Sequence, residues 1–122
     1  MVRKANMETK KAIGRQGWWF AEVDGIAIPC IHKHWLNRLS YHDPFKRHRG
    51  KGLKRKIDEA VNAMKNARQV VLTDDHVEFD VEGDVAGFTR KKYIAVFEID
   101  DITYTPADGL RFRLVERLCN LR

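Results

Sequence analysis

Cysteine and proline are both scarce in this chain. Its 122 residues hold two cysteines, Cys30 and Cys119, and three prolines. The cysteines lie far apart and match no zinc or redox spacing, so the simplest assignment is a cytoplasmic protein with both thiols reduced. No apolar run approaches the roughly 18 residues that a membrane helix needs. No apolar stretch follows the basic start Met1-Val2-Arg3-Lys4, so no signal peptide is expected. Catalytic signatures are lacking too. No Ser-His-Asp or Cys-His arrangement can be placed. Gly50-Lys51-Gly52-Leu53 opens a helix but lacks the Lys-Ser/Thr ending of a nucleotide-binding loop. No cofactor is called for.

One stretch lacks acid altogether. Residues 46–56 read Lys46-Arg47-His48-Arg49-Gly50-Lys51-Gly52-Leu53-Lys54-Arg55-Lys56, and seven of these eleven are Lys or Arg. So dense a cluster repels itself unless something negative lies nearby, and phosphate is the usual negative partner in a cell. The two glycines let the backbone bend around a ligand. The charge is also lopsided. Residues 1–70 carry 16 Lys and Arg against 6 Asp and Glu, or +10; residues 71–122 carry 7 against 11, or −4. The basic character belongs to the first half, as a binding face requires. The competing reading is internal neutralisation, with Asp74, Asp75, Glu78, Asp80, Glu82 and Asp84 folding over the basic run.

Leu, Ile, Val and Phe make up 32 residues, enough for a real core in one domain. Residues 1–16 lack periodicity and read as a basic mobile arm, with a single domain over 17–122. Trp18–Val23, Asp24-Gly25 and Ile26–Ile31 form a hairpin signal, because Asp-Gly accepts the positive φ angles of a two-residue turn. That turn pairs Val23 with Ile26, Ala21 with Ile28 and Trp19 with Cys30, and puts these six on one face. Pro29 cannot donate to a ladder, so the second strand is expected at an edge, at least there. Residues 32–52 read as one long loop. Leu53–Ala67 reads as a helix with an apolar stripe of Leu53, Ile57, Ala60, Val61 and Met64. Val70–Thr73, His76–Val81, Tyr93–Tyr104 and Leu110–Val115 read as strands, with Asp74-Asp75 as a turn; 116–121 either extends the last strand or forms a helical turn. The fold class is α+β: a small twisted antiparallel sheet, or a partly closed β-barrel, of five or six strands with one main helix at 53–67. Trp19, Val23, Ile26, Ile28, Ile57, Val61, Val71, Phe97 and Leu114 are expected in one core.

These observations point to a nucleic-acid-binding domain, with DNA and RNA not distinguished and no membrane partner. The candidate phosphate contacts are Lys46, Arg47, Arg49, Lys51, Lys54, Arg55 and Lys56. Trp18, Phe20 and Tyr41 are the candidate stacking rings, since cationic grooves lined by flat rings are how proteins hold single strands; the alternative for Trp18 and Phe20 is a second core layer under the helix. Two other classes stand beside this reading. One is a metal-dependent nuclease or phosphodiesterase using His32, His34, His42 and Asp43, with Cys30 and His48 nearby. The other is a module that docks an acidic protein partner.

Overall fold

A computed structural model describes residues 7–15, 19–44, 53–83 and 85–122. Among these residues, nine strands and one α-helix follow in order: β1 Thr9–Lys10, β2 Ile13–Arg15, β3 Phe20–Val23, β4 Ile26–His32, β5 Leu36–Asn37, β6 Ser40–Asp43, α1 Leu53–Ala67, β7 Gln69–Phe79, β8 Val85–Thr105 and β9 Gly109–Leu121. The strands hydrogen-bond in the order β2-β3-β4-β7-β8-β9-β6-β5, with β1 added to β9. The class is α+β, but the sheet is larger than five or six strands, and it is not closed. It is also mixed rather than antiparallel, because β4 runs parallel to β7 and β1 runs parallel to β9.

The β3–β4 register is the one that Asp24-Gly25 dictates. Both turn residues have positive φ (53° and 78°), and Val23 faces Ile26 while Ala21 faces Ile28. The expected sharing of a face fails at Trp19, which packs on the opposite side of the sheet from Ile28. Ile26 fails as a core residue as well: it follows the tight turn and is 62% exposed. The strand carrying Pro29 is not an edge strand overall, since β7 pairs with Cys30, Ile31 and His32. That ladder begins one residue after Pro29, so the missing N–H falls where no β7 partner is needed.

One core is in fact two. Ile57, Val61 and Met64 of α1 cover Ile31, Val70, Leu72, Ile99, Leu110, Phe112 and Leu114. On the other face, Ala12, Ala21, Val23, Ile28, Val71, Val96, Cys119 and Leu121 pack together. The second cluster forms because Thr9–Lys10 pairs with β9 and Ile13–Arg15 pairs with β3, so one short stretch reaches both sides of the sheet. Those residues were expected in a mobile arm. β7 is therefore buried on both faces near its start, where Val70 and Leu72 face the helix and Val71 faces away.

Other differences follow from local chemistry. The expected loop at 32–52 contains a 3₁₀ turn at Lys33–Trp35 and the β5–β6 hairpin. The hairpin turns at Arg38 with φ 57°, a conformation that Arg does not advertise. Asp74-Asp75 is no turn: β7 runs through it with a register shift, pairing Asp75 with Arg90. Residues 116–121 extend β9. Gly109 closes the β8–β9 turn at φ +90°, where an added Cβ would lie 2.3 Å from the Asp43 carbonyl oxygen. Only glycine fits that position.

Candidate functional site

The chain path decides which side chains meet. β4, α1 and β7 form a crossover between two parallel strands, and only Arg68 separates the helix from β7. Fifteen helical residues span about 22 Å, a length that a strand covers in about seven residues. Running back from β7, α1 lays Ile57, Val61 and Met64 over the sheet face that carries Ile31, Val70 and Leu72.

At the helix start, Lys54, Arg55 and Lys56 are exposed, and the first turn holds no acidic residue. Lys54 Nζ lies 3.1 Å from Asp58 and Arg55 Nε lies 3.0 Å from Glu59, both one turn on. Cation first and carboxylate second is the weaker order for such pairs, and cations at a helix N-terminus oppose its dipole. Lys46, Arg47, Arg49, Lys51 and Trp18 lie outside the described residues. Two candidate rings are corrected. Phe20 is 6% exposed and Tyr41 3%, so neither presents a face for stacking. Tyr41 stacks instead on Phe112, with centroids 4.6 Å apart, in the helix-side core, because β6 pairs with β9 there. Burial, reinforced by the charge of Asp43, pushes its hydroxyl well above the ordinary tyrosine value.

Among the described residues the histidines do not converge; His48 lies outside them. The His34 ring packs on Trp35 and Phe79, His42 Nε2 donates to the Asp108 carbonyl at 2.7 Å, and Asp43 is buried. Among the described residues, no group of three His, Cys, Asp or Glu side chains is placed to hold a metal ion.

His32 joins a different set. Its Nδ1 contacts Asp75 Oδ2, while Arg90 Nε lies 2.5 Å from Asp75 Oδ1. The Thr73 hydroxyl lies 2.7 Å from Asp75 and 2.9 Å from the Ile31 carbonyl. The side chains of Asp75 and Arg90 are 1% and 6% exposed, and that of His32 is 22% exposed. Burial raises the Asp75 carboxyl, but hydrogen bonds from His32 and Thr73 and the charge of Arg90 outweigh it, and the carboxyl ends below its ordinary value. The Arg90 guanidinium sits 5.3 Å from the Phe88 ring centre and 5.4 Å from that of Tyr93. The His32 ring meets Phe88 edge-on at 4.7 Å. Cys30, next along this face of β4, is pushed up to about 11 by burial, with Arg90 opposing. Reading Asp74-Asp75 as a turn hid this cluster. The available signal was that Asp75 falls on the same alternating strand face as Val71, Thr73, Val77 and Phe79, with Arg90 standing in the facing strand.

No family model, no curated protein and no solved structure matches this chain. Among the described residues, no helix is long and apolar enough to cross a membrane.

Proposed function

We propose that this protein binds nucleic acid in the cytoplasm through the phosphate backbone, using Lys54, Arg55 and Lys56 at the start of α1 with Lys46, Arg47, Arg49 and Lys51 just before it. The observation that supports this most is the placement of exposed cations, with no acidic residue in the same turn, at the end of the helix where positive charge is least favourable. Such cations do little for the helix and suit an anion, because helix N-terminal amides and Lys and Arg side chains attract phosphate together. Contacts of this kind carry little sequence information. The metal-dependent hydrolase has less support, because its candidate ligands are dispersed. The test is the salt dependence of binding to labelled RNA and DNA. If four cations engage, the log–log slope is near −3, at about −0.7 to −0.9 per contact. Replacing Lys46, Arg47, Arg49 and Lys51 with Ala flattens it. No binding at low salt, or an unchanged slope in the variant, would leave the acidic-protein partner as the reading.

A further inference from the structure

Phe20 and Tyr41 are buried, but rings elsewhere reach the surface. β4 pairs with β7 no further than Thr73, and β9 pairs with β8 no further than Ala95. Beyond these points, 74–79 and 85–93 form a two-stranded ribbon, with no third strand beside it among the described residues. The extra residues at its register shifts all lie on β8, so β7 alternates without interruption. Val71, Thr73, Asp75, Val77 and Phe79 therefore share one face, the one turned away from α1 at Val71. Phe88 lies opposite Val77, and Arg90 lies opposite Asp75. The 3₁₀ turn Lys33–Trp35 meets this face at Phe79. There the His34 ring centre is 5.4 Å from that of Phe79 and 4.9 Å from that of Trp35. The face opens toward solvent along its length: Val71 and Asp75 are sealed, Val77 and Phe88 are half-buried, His34 is exposed and Phe79 is 47% exposed.

The charges on this face suit an anionic chain. Among 71–79 and 85–93, Asp75 is the one carboxylate on it, and Arg90, His32 and Thr73 already engage that group. Asp74 and Glu78 alternate onto the other face. β8 supplies no acid between Val85 and Tyr93, and Lys33 is exposed beside His34. The acids of the hairpin end lie beyond Phe79, where Asp80 accepts from the Glu82 backbone N–H at 2.9 Å. Flat rings with little aliphatic surface suit nucleobases, which stack on an aromatic face whatever their sequence. The bases of a single strand are free to do so, whereas those of a duplex already stack on one another and are paired. We infer that Phe79, with His34 and Phe88 beside it, is a base-stacking surface, and that the preferred ligand is single-stranded nucleic acid. The inference rests on the nucleic-acid reading above and narrows it. It needs no contact between these rings and the helix-start cations.

The experiment measures affinity for labelled oligo(U), oligo(dT) and a mixed-sequence duplex DNA at one low salt concentration. The unaltered chain holds the single strands more tightly than the duplex. Phe79→Ala weakens single-strand binding by about five- to a hundredfold, the size of one lost base stack, and leaves duplex binding unchanged. Phe79→Tyr keeps a ring and keeps the affinity. Equal single-strand affinity in Phe79→Ala and the parent overturns the inference and leaves the phosphate-backbone reading standing. A loss that Phe79→Tyr shares, or a parent that prefers the duplex, has the same meaning. Absence of binding to all three probes by the parent overturns both. If the parent sediments as a dimer that Phe79→Ala dissociates, with single-strand affinity unchanged, the face is a contact between copies and the inference fails. A second measurement needs no substitution: NMR follows the Phe79 ring protons as oligo(U) is added to saturation. A base stacked on the ring shields them and moves their resonances upfield. Unmoved resonances overturn the inference even if the Ala variant fails to fold.

Discussion

Two groups of charges in this chain obey opposite rules. Lys54 and Arg55 are more than four-fifths exposed and bridge to Asp58 and Glu59 across one helical turn. Asp75 and Arg90 are nearly sealed, and the Arg90 guanidinium lies against the Phe88 and Tyr93 rings. Water solvates the first group whether or not it is paired, so the bridges contribute little and the cations stay available to a ligand. The second group has left water, so each member depends on the others, and their geometry is fixed. A binding surface made of the first kind alone would be adaptable and indifferent to sequence. His32, anchored in the second kind and open to solvent, is where the fixed group meets the surface.

The largest expected effect is at the buried carboxylate. Asp75→Asn keeps the shape but removes the carboxylate that Arg90, His32 and Thr73 share, and removing one partner of a buried pair costs about 3–5 kcal/mol. Urea unfolding is expected to show a loss of that size, while Lys54→Ala changes stability by no more than about 0.5 kcal/mol. A loss below about 1 kcal/mol in Asp75→Asn would erase the contrast between the two groups. The sign with pH follows as well. The folded Asp75 carboxyl lies below its ordinary 3.8, so the unfolded chain takes up this proton first as acid is added. The stability that Asp75 contributes is present above about pH 4 and is lost as pH falls through the lowered value. The Asn variant loses this part of the acid sensitivity.

Cys30 supplies a chemical readout of the same sealed region. Burial lifts its thiol from 9.0 to about 11, against the pull of Arg90. At pH near 8 the native thiolate fraction is then about a hundredfold below that of an unfolded cysteine, and alkylation slows accordingly. The sign is the reverse of Asp75: the stability linked to this group is complete below pH 9.0 and is lost as pH rises through about 11. Iodoacetamide labelling followed by mass spectrometry checks it. Native Cys30 labelling at the unfolded rate would mean that this end of the sheet is open.

How much of this was legible depends on whether the signal was local. The helix was read residue for residue at Leu53–Ala67, because a 3.6-residue stripe needs no distant partner. The β3–β4 hairpin was readable from Asp24-Gly25 alone. What could not be read were the parallel pairings, because β4 finds β7 across a crossover and β1 finds β9 from the other end of the chain. Without those pairings Ala12 looks like part of an arm and Pro29 looks like an edge; without the equally distant β6–β9 pairing Tyr41 looks free to stack. The same long-range contacts built the charged cluster. Arg90, Asp75 and His32 carry no spacing signature: Arg90 meets Asp75 across the β7–β8 pair, and His32 reaches it from β4, 43 residues earlier. The helix-start cations, by contrast, were plain in the sequence because their exposure follows from the stripe they avoid.

A moderate effect is expected when the exposed group is removed together. Replacing Lys54, Arg55 and Lys56 with Ala should weaken binding to RNA and DNA alike and reduce the salt slope by about 0.7 to 0.9 for each cation that touched a phosphate. Because phosphate contacts position rather than specify, the loss should be similar across oligonucleotide sequences. Fluorescence anisotropy over a range of salt concentrations measures both. A loss confined to one sequence would mean that these residues read base edges, and that the helix start is as rigidly placed as the buried cluster.

The smallest effect is the one that separates binding from folding. Lys54→Ala and Arg55→Ala each remove a cation from the positive end of the helix, which by itself favours the helix by about 0.3–1 kcal/mol. Each also removes a bridge to Asp58 or Glu59, worth about 0.3–0.5 kcal/mol. Alanine is also the better helix former, though only slightly. These terms oppose one another and are similar in size, so each variant should match the parent in urea unfolding to within about 0.5 kcal/mol, or exceed it. Stability that holds while affinity falls is the signature of residues kept for a ligand. A clear destabilisation by either substitution would show that the bridges, and not a polyanion, account for these cations.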